Sequence, residues 1–266
     1  MSGGNNEKKF DFFDLQIKYL DGQNSANVDF QHIHNECELY INVSGDVSFM
    51  VENTIYAVSA GDAIITKPYE NHHCILNTNA NHRHFWLLFK CSEDDSFFDL
   101  FFNRKSGECN LLKFDPQSIG RIQRLCRSLL QAENGCTQTA FDFLSLIDCL
   151  KTGTVIRRGN ACSDTEIMAA AEYINKNPEK NISVSDIAKK ACMSISTFER
   201  HFKAEIGISP REYLTNKRLS LACMKLDSGL SVQEVCDSCG FSDCSHFIVL
   251  FKKKFGVTPY KYKMGK

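Results

Sequence analysis

Hydrophobic and polar positions along the chain fall into three successive patterns. From Phe10 to about Phe89 the apolar residues come in short, β-rich runs separated by turn residues. Glu38-Leu39-Tyr40-Ile41-Asn42-Val43 and Val47-Ser48-Phe49-Met50-Val51 flank Ser44-Gly45-Asp46. Ala57-Val58 leads through the Gly61-Asp62 turn to Ala63-Ile64-Ile65-Thr66, which stops at Pro68. Phe85-Trp86-Leu87-Leu88-Phe89 closes the series. Many short strands with Gly and Asn turns predict a small sandwich or barrel. The polar residues 1–9 are expected to be disordered.

Helical spacing then takes over. Ile119, Ile122, Leu125, Cys126, Leu129 and Leu130 recur at steps of three and four, and a second helix is expected over 140–150. These helices either pack on the barrel or pair two subunits. Residues 152–163, with Gly and Arg, read as a linker.

The last third is helical throughout and internally repeated. Phe198, Phe202, Gly207, Pro210 and Tyr213 return 49 positions later as Phe247, Phe251, Gly256, Pro259 and Tyr262. Upstream, Ser183 with Asp186 and Ser231 with Glu234 have the spacing of capping boxes at helix starts. Val184, Ile187, Ala188 and Ala191 form one apolar face, duplicated by Val232, Val235, Cys236 and Cys239. Ile195, Phe198, Phe202 and Ile206 mark the next helix, mirrored by Cys244, Phe247, Phe251 and Phe255. Pro210 opens a longer helix between the copies, carrying Tyr213, Leu214, Ala222 and Leu226. A helix, a tight turn and a second amphipathic helix make a helix-turn-helix, and two copies held by one helix suit successive major grooves about 34 Å apart.

Residues 166–262 resemble the AraC/XylS family of bacterial transcription regulators. The likeness is densest in Phe198-x-Arg200-x-Phe202-Lys203, in Gly207-Ile208-Ser209-Pro210-Arg211-Glu212-Tyr213-Leu214, and in Cys239-Gly240-Phe241-Ser242-Asp243 through Phe251-Lys252-Lys253-Lys254-Phe255-Gly256-Val257-Thr258-Pro259. The resemblance implies base contacts from Ser196, Thr197, Glu199 and Arg200 in the first unit and from Cys244, Ser245, His246 and Val249 in the second. Arg200 is suited to a bidentate grip on guanine and Glu199 to a cytosine amino group. Lys203, Arg211, Lys217, Arg218, Lys252 and Lys253 are expected on phosphate. Val249 stands opposite Arg200 in the repeat, where family members often carry a polar or basic residue. An asymmetric reader is therefore expected, its first helix supplying most base readout.

Charge agrees once it is divided. The 266 residues carry a net charge of −1, but from Asp164 onward 16 Lys and Arg face 12 Asp and Glu, leaving the earlier residues acidic. One domain meets phosphate and the other does not. No apolar run is long enough for a membrane span and the start lacks a signal-peptide core, so a cytoplasmic protein is expected. The 13 cysteines, an odd number at apolar positions, read as small buried hydrophobes. Cys236-x-x-Cys239 is included, because the repeat sets these two against Ala188 and Ala191.

The N-terminal half contains a second resemblance. His32-x-His34-x-x-x-Glu38, with Gly45 beyond, resembles the first motif of the cupin barrel, and Gly61 to Pro68 with His73 and Asn77 resembles the second. In metal-binding cupins these positions ligate iron, manganese, nickel or zinc, and His32, His34, Glu38 and His73 are a chemically suitable N3O set. His72 competes for the last role. In many AraC-type regulators the same residues line a metal-free effector pocket, and a purely structural role is a further reading. The favoured expectation is effector binding by His32, His34, Glu38 and His73, with no cofactor and no metal.

The architecture expected is two domains, an N-terminal all-β cupin-like barrel with following helices and a C-terminal all-α tandem helix-turn-helix. Its parts are an effector barrel (10–92), a helical dimerisation segment (93–151), a linker (152–163) and a DNA-binding domain (164–266). The function expected is a non-enzymatic, homodimeric activator. Its partners are double-stranded DNA, RNA polymerase and a small-molecule effector, a carbohydrate in many relatives, and it has no membrane contact. A metal-dependent cupin enzyme fused to a DNA-binding domain and a thiol-based redox regulator are the competing readings.

Overall fold

Period-two runs become strands because alternate side chains then serve two different cores. The computed structural model describes residues 6–22, 33–52, 54–77, 81–132, 137–157, 160–161 and 165–264. It divides into two compact units, Met1–Ala161 and Cys162–Lys266.

The first unit contains β1 (Asn6–Lys9), β2 (Gln16–Gly22), β3 (Cys37–Ser44), β4 (Val47–Val51), β5 (Thr54–Val58), β6 (Ala63–Thr66), β7 (His72–Leu76) and β8 (His82–Phe89). There follow α1 (Asp99–Phe102), β9 (Leu111–Lys113), α2 (Pro116–Gln131), α3 (Thr137–Leu150), β10 (Thr154–Ile156) and β11 (Asn160–Ala161). One antiparallel sheet runs β1-β2-β8-β3-β6-β9-β10 and the other β11-β5-β4-β7. Cys37, Leu39 and Ile41 of β3, with Phe85, Leu87 and Phe89 of β8, join a core with Ile122, Cys126 and Leu129 of α2 and Phe143, Leu146 and Ile147 of α3. The alternate face, through Tyr40, Ile64 and Leu111, meets Val47, Phe49, Val51, Tyr56 and Val58 of the smaller sheet. The helices after the barrel are thus seated on the outer face of the larger sheet.

Three expectations are corrected. Residues 6–9 are not disordered, since β1 pairs with β2 and sets Glu7 against Lys18. Glu7 bonds Gln16 and pairs with Lys18 at 3.5 Å, and an edge strand tolerates such charges because one side faces water. The segment 93–151 is not wholly helical, for β9 inserts beside β6. The linker 152–163 supplies two strands instead: β-branched Thr154-Val155-Ile156 completes the larger sheet against β9, and β11 pairs with β5. Strand pairing over such short spans depends on the neighbour, which local sequence does not specify.

The second unit contains α4 (Thr165–Lys176), α5 (Val184–Lys190), α6 (Ile195–Ile206), α7 (Pro210–Asp227), α8 (Val232–Ser238), α9 (Cys244–Phe255) and α10 (Pro259–Met264). Both capping boxes form, Ser183 with Asp186 and Ser231 with Glu234. The repeat extends to aromatic geometry. Phe202 meets Tyr213 edge-on at 5.5 Å and 69°, and Phe251 meets Tyr262 at 5.4 Å and 76°. Among the described residues no helix is long and apolar enough to cross a membrane.

Candidate DNA-binding face and effector site

Each helix pair of the second unit turns at a left-handed residue. After α5, Cys192 takes φ 54°. Its N–H donates to Lys189 O at 3.1 Å and that of Met193 to Ala188 O at 3.0 Å, a Schellman turn. Ser194 then caps α6 by accepting from Thr197 N. The second copy repeats this with Gly240 at φ 77° and with Asp243 accepting from Ser245 N and His246 N at the start of α9.

Phe198, Phe202 and Ile206 bury one side of α6, which leaves Ser196, Glu199 and Arg200 exposed and Thr197 half-buried. On α9, Phe247 and Phe251 are buried, Ser245, His246 and Val249 are exposed, and Cys244 is half-buried. Val249 is 62% exposed, an apolar knob where the first copy offers a guanidinium. Ile195, the first of the four residues that mark this helix in the sequence, sits exposed at the tip of α6. A helix end has no neighbour over its first turn.

The cations divide into two groups. Lys203, Arg211, Lys252 and Lys253 are exposed. Lys217 is corrected, because α7 turns it into the interior, while Arg218 is half-buried with its guanidinium engaged by main-chain carbonyls. Lys217 is buried with its ammonium 5.4 Å from the Tyr213 ring centroid, and burial pulls its pKa down to about 7. Arg218 donates from Nε to Pro178 O and from Nη2 to Lys180 O, both at 2.9 Å, tying α7 to the loop after α4. On this basis Lys217→Met leaves the salt dependence of DNA binding unchanged, whereas Lys252→Ala reduces the slope of log K against log salt by about one. The unfolded chain keeps this proton up to about pH 10.4 and the folded chain only up to about 7. Between those limits the unfolded state binds more protons, so stability rises with pH by up to about 1.4 kcal/mol per unit. Lys217→Met should flatten that rise in denaturation at pH 7, 8 and 9, and parallel slopes for the two proteins would disprove the burial argument.

In the first unit, β3 turns Glu38, Tyr40 and Asn42 inward. Glu38 Oε2 lies 3.1 Å from His34 Nε2 and 3.1 Å from His72 Nε2. The other nitrogen of each ring meets a main-chain carbonyl, His34 Nδ1 on Glu36 O at 3.1 Å and His72 Nδ1 on Glu70 O at 2.7 Å. Burial pushes the Glu38 pKa up, but His72 and His34 outweigh it and hold the carboxyl well below the usual range. Burial likewise opposes protonation of His72, and Glu38 outweighs it, raising that pKa.

Of the residues expected at this site, His34 and Glu38 come together. His32 lies outside the described residues. His73 does not join them. Along β7 neighbouring side chains alternate, and His72, opposite Val51, takes the inward place while His73 is paired with Met50. The expectation passed over His82 and His84. Tyr40 Oη lies 2.5 Å from His82 Nε2, the two imidazoles stack at 4.4 Å, and burial brings the His84 pKa down to about 3. Their signal was present in the period-two spacing His82, His84, Trp86, which shares a face with Tyr40 and Asn42 once β3 and β8 are paired. Cys236 and Cys239 are both buried, and burial pushes the Cys236 thiol up to about 12, the opposite of what reactivity needs.

Comparison with known proteins accords with this geometry. Residues 21–142 match the AraC-like ligand binding domain, and residues 187–264 match a helix-turn-helix domain. The chain is 23% identical over 247 residues to the HTH-type transcriptional activator RhaS of Escherichia fergusonii, covering 89% of this chain and 88% of that protein. It is 34% identical over 92 residues to the probable transcriptional regulator LumQ of Photobacterium leiognathi, covering 34% and 37%. The DNA-binding domain of AdpA, solved in complex with a target DNA, is 26% identical and covers 38% of this chain and 93% of that one, with a TM-score of 0.37. The chain belongs to the AraC family of transcription regulators, with a ligand-binding domain followed by a helix-turn-helix DNA-binding domain.

Proposed function

We propose that the protein is a cytoplasmic, homodimeric activator that binds operator DNA through α6 and α9, engages RNA polymerase, has no enzymatic activity, and responds to a small effector held in the barrel. A sugar effector is what the family resemblance implies, and likeness to RhaS, an activator by its printed name, supports activation. Dimerisation is assigned to the 93–151 segment, supported by Phe141 and Leu144 on the exposed face of α3. The observation that carries the proposal is the pair of capped helices with exposed reading positions, Arg200 on one and Val249 on the other. An effector shifts DNA binding only by favouring one conformation of the whole chain.

The first helix supplies most direct readout. With an operator selected from random duplexes, Arg200→Ala weakens binding by about 1–3 kcal/mol and relaxes the preference at one G·C pair, a loss of roughly 5–150-fold. Val249→Ala removes only contact with a thymine methyl and costs under about 1 kcal/mol. Binding curves against the selected operator and its single-base variants decide the matter. Equal losses for the two substitutions, or equal sensitivity of both half-sites, would overturn the asymmetric reader.

A further inference from the structure

We infer that Cys37 and Cys91 are a reversible modification site, a dithiol that hydrogen peroxide converts to a disulfide stapling β3 to the segment that enters α1. The inference is independent of the effector and DNA-binding readings, and it does not involve Cys236 or Cys239.

The two sulfurs lie 3.6 Å from each other, although 54 positions separate them in the chain. That distance is van der Waals contact, and a bond of about 2.05 Å is reached by modest rotation of the two side chains. Strand pairing makes the encounter. Cys37 opens β3 with its Cα opposite Phe89, the last residue of β8, and Cys91 follows two positions later. Cys37, Phe89, Phe98 and Phe101 belong to the core on the outer face of the larger sheet, and Cys91 packs against that core. Both thiols are thus on one side of the sheet, at the end where the chain leaves it for α1.

Exposure sets the order of events. Cys37 is fully buried and Cys91 half-buried. Burial, helped by the adjoining Cys91 thiol, pushes the Cys37 pKa up, so Cys37 is not the thiol that attacks an oxidant. Peroxide meets Cys91. The Cys91 sulfur attacks one peroxide oxygen and the O–O bond breaks, giving Cys91 sulfenic acid and one water. The Cys37 sulfur then attacks the Cys91 sulfur and the S–O bond breaks. The departing hydroxide takes the Cys37 proton and leaves as a second water. In all, two thiols give up two electrons and two protons, and one peroxide is reduced to two waters. Cys37 has little thiolate, but its partner is already in contact, and such proximity offsets a weak nucleophile. A thiol reductant reverses the bridge, so the dithiol is the resting form in a reducing compartment.

The test uses the full chain, reduced with dithiothreitol, freed of it, and treated with rising doses of hydrogen peroxide. Oxidation of Cys192, which is exposed, marks the dose at which peroxide has acted. At that dose, mass spectrometry of the unreduced digest should show a Cys37–Cys91 cross-link, and dithiothreitol should remove it. The bridge closes a long loop and constrains the unfolded chain, so the melting transition of the first unit should rise by about 5–15 °C. Cys91→Ser, at a half-buried position that accepts a hydroxyl, should abolish both the cross-link and the rise. Cys192→Ser should leave both intact. Oxidised Cys192 beside an unlinked Cys91, whether still a thiol or carried on to sulfinic acid, overturns the inference. So does an equal rise in melting temperature in the Cys91→Ser protein, or a cross-link with no rise at all. Operator binding by the same samples is a separate measurement, and failure to cross-link leaves the DNA-binding assignment untouched.

Discussion

Glu70→Ala should destabilise the N-terminal unit by about 3–5 kcal/mol, because it leaves a buried guanidinium without its carboxylate. Glu70 and Arg104 are both almost fully enclosed. The Glu70 carboxylate accepts from both Arg104 Nη atoms, from Gly107 N at 2.6 Å, from Lys67 N at 3.1 Å and from Asn110 Nδ2 at 3.2 Å. Arg104 also donates to Ile65 O and Glu108 O, so the pair ties β6, the loop before β7 and the segment before β9 into one knot. Burial alone raises the Glu70 pKa, but Arg104 outweighs it and the net shift is downward. A carboxyl lowered on folding contributes stability above its unfolded value, near 4.3, and loses it as pH falls through the lower folded value. Glu70→Ala therefore removes part of the acid limb of the stability curve. Urea denaturation at pH 7 and pH 4 measures both effects. Glu70→Ala with Arg104→Met should be milder than Glu70→Ala alone, since the stranded charge is gone. A single-variant loss below about 1 kcal/mol would show that water reaches the pair. The knot also bears on the candidate effector site, because the Glu70 carbonyl holds His72 Nδ1.

Gly240→Ala should cost about 2–4 kcal/mol in the second unit and abolish tight operator binding. A Cβ at this residue would lie 2.9 Å from Arg218 Nε, Glu179 O and Pro178 O, on a backbone at φ 77°. Two of those atoms are main chain and cannot step aside, and Arg218 is held by the same carbonyl of Pro178. The equivalent position in the first helix pair is Cys192, exposed and at φ 54°. That copy accepts a side chain in the left-handed region because it projects into solvent, at about 1 kcal/mol of backbone strain. Cys192→Gly should accordingly be neutral or slightly stabilising. Thermal melting and operator titration of the two variants test the contrast, and a Gly240→Ala protein as stable and active as wild type would refute it.

Much of the second unit was legible beforehand, because its determinants are local. A serine three residues before an acid caps a helix wherever it occurs, and the Phe and Tyr steps of α6 and α9 pack the same way in both copies. Lys217 was misread because α7 buries it, and Arg218 is engaged by carbonyls of the loop after α4, some 40 positions earlier in the chain. For Lys217, polarity suggested surface where the fold had made interior. In the first unit the strands of strongest β propensity were legible, whereas β1, β9, β10 and β11 were not, since a strand of two to four residues is defined by its partner.

By itself the sequence determined two units of opposite charge, tandem helix-turn-helix architecture, the inequality of Arg200 and Val249, and a barrel with a His and Glu motif. Only the tertiary structure decided that His72 and not His73 reaches Glu38, that Lys217 is enclosed and Arg218 is held by main-chain carbonyls, and that His82 and His84 join Tyr40. The reason lies in range. Helix caps and apolar stripes act within a few residues. A strand's inward face, by contrast, is fixed by register with partners tens of residues away, and one position of slip exchanges the side chain that faces the core for the one that faces out.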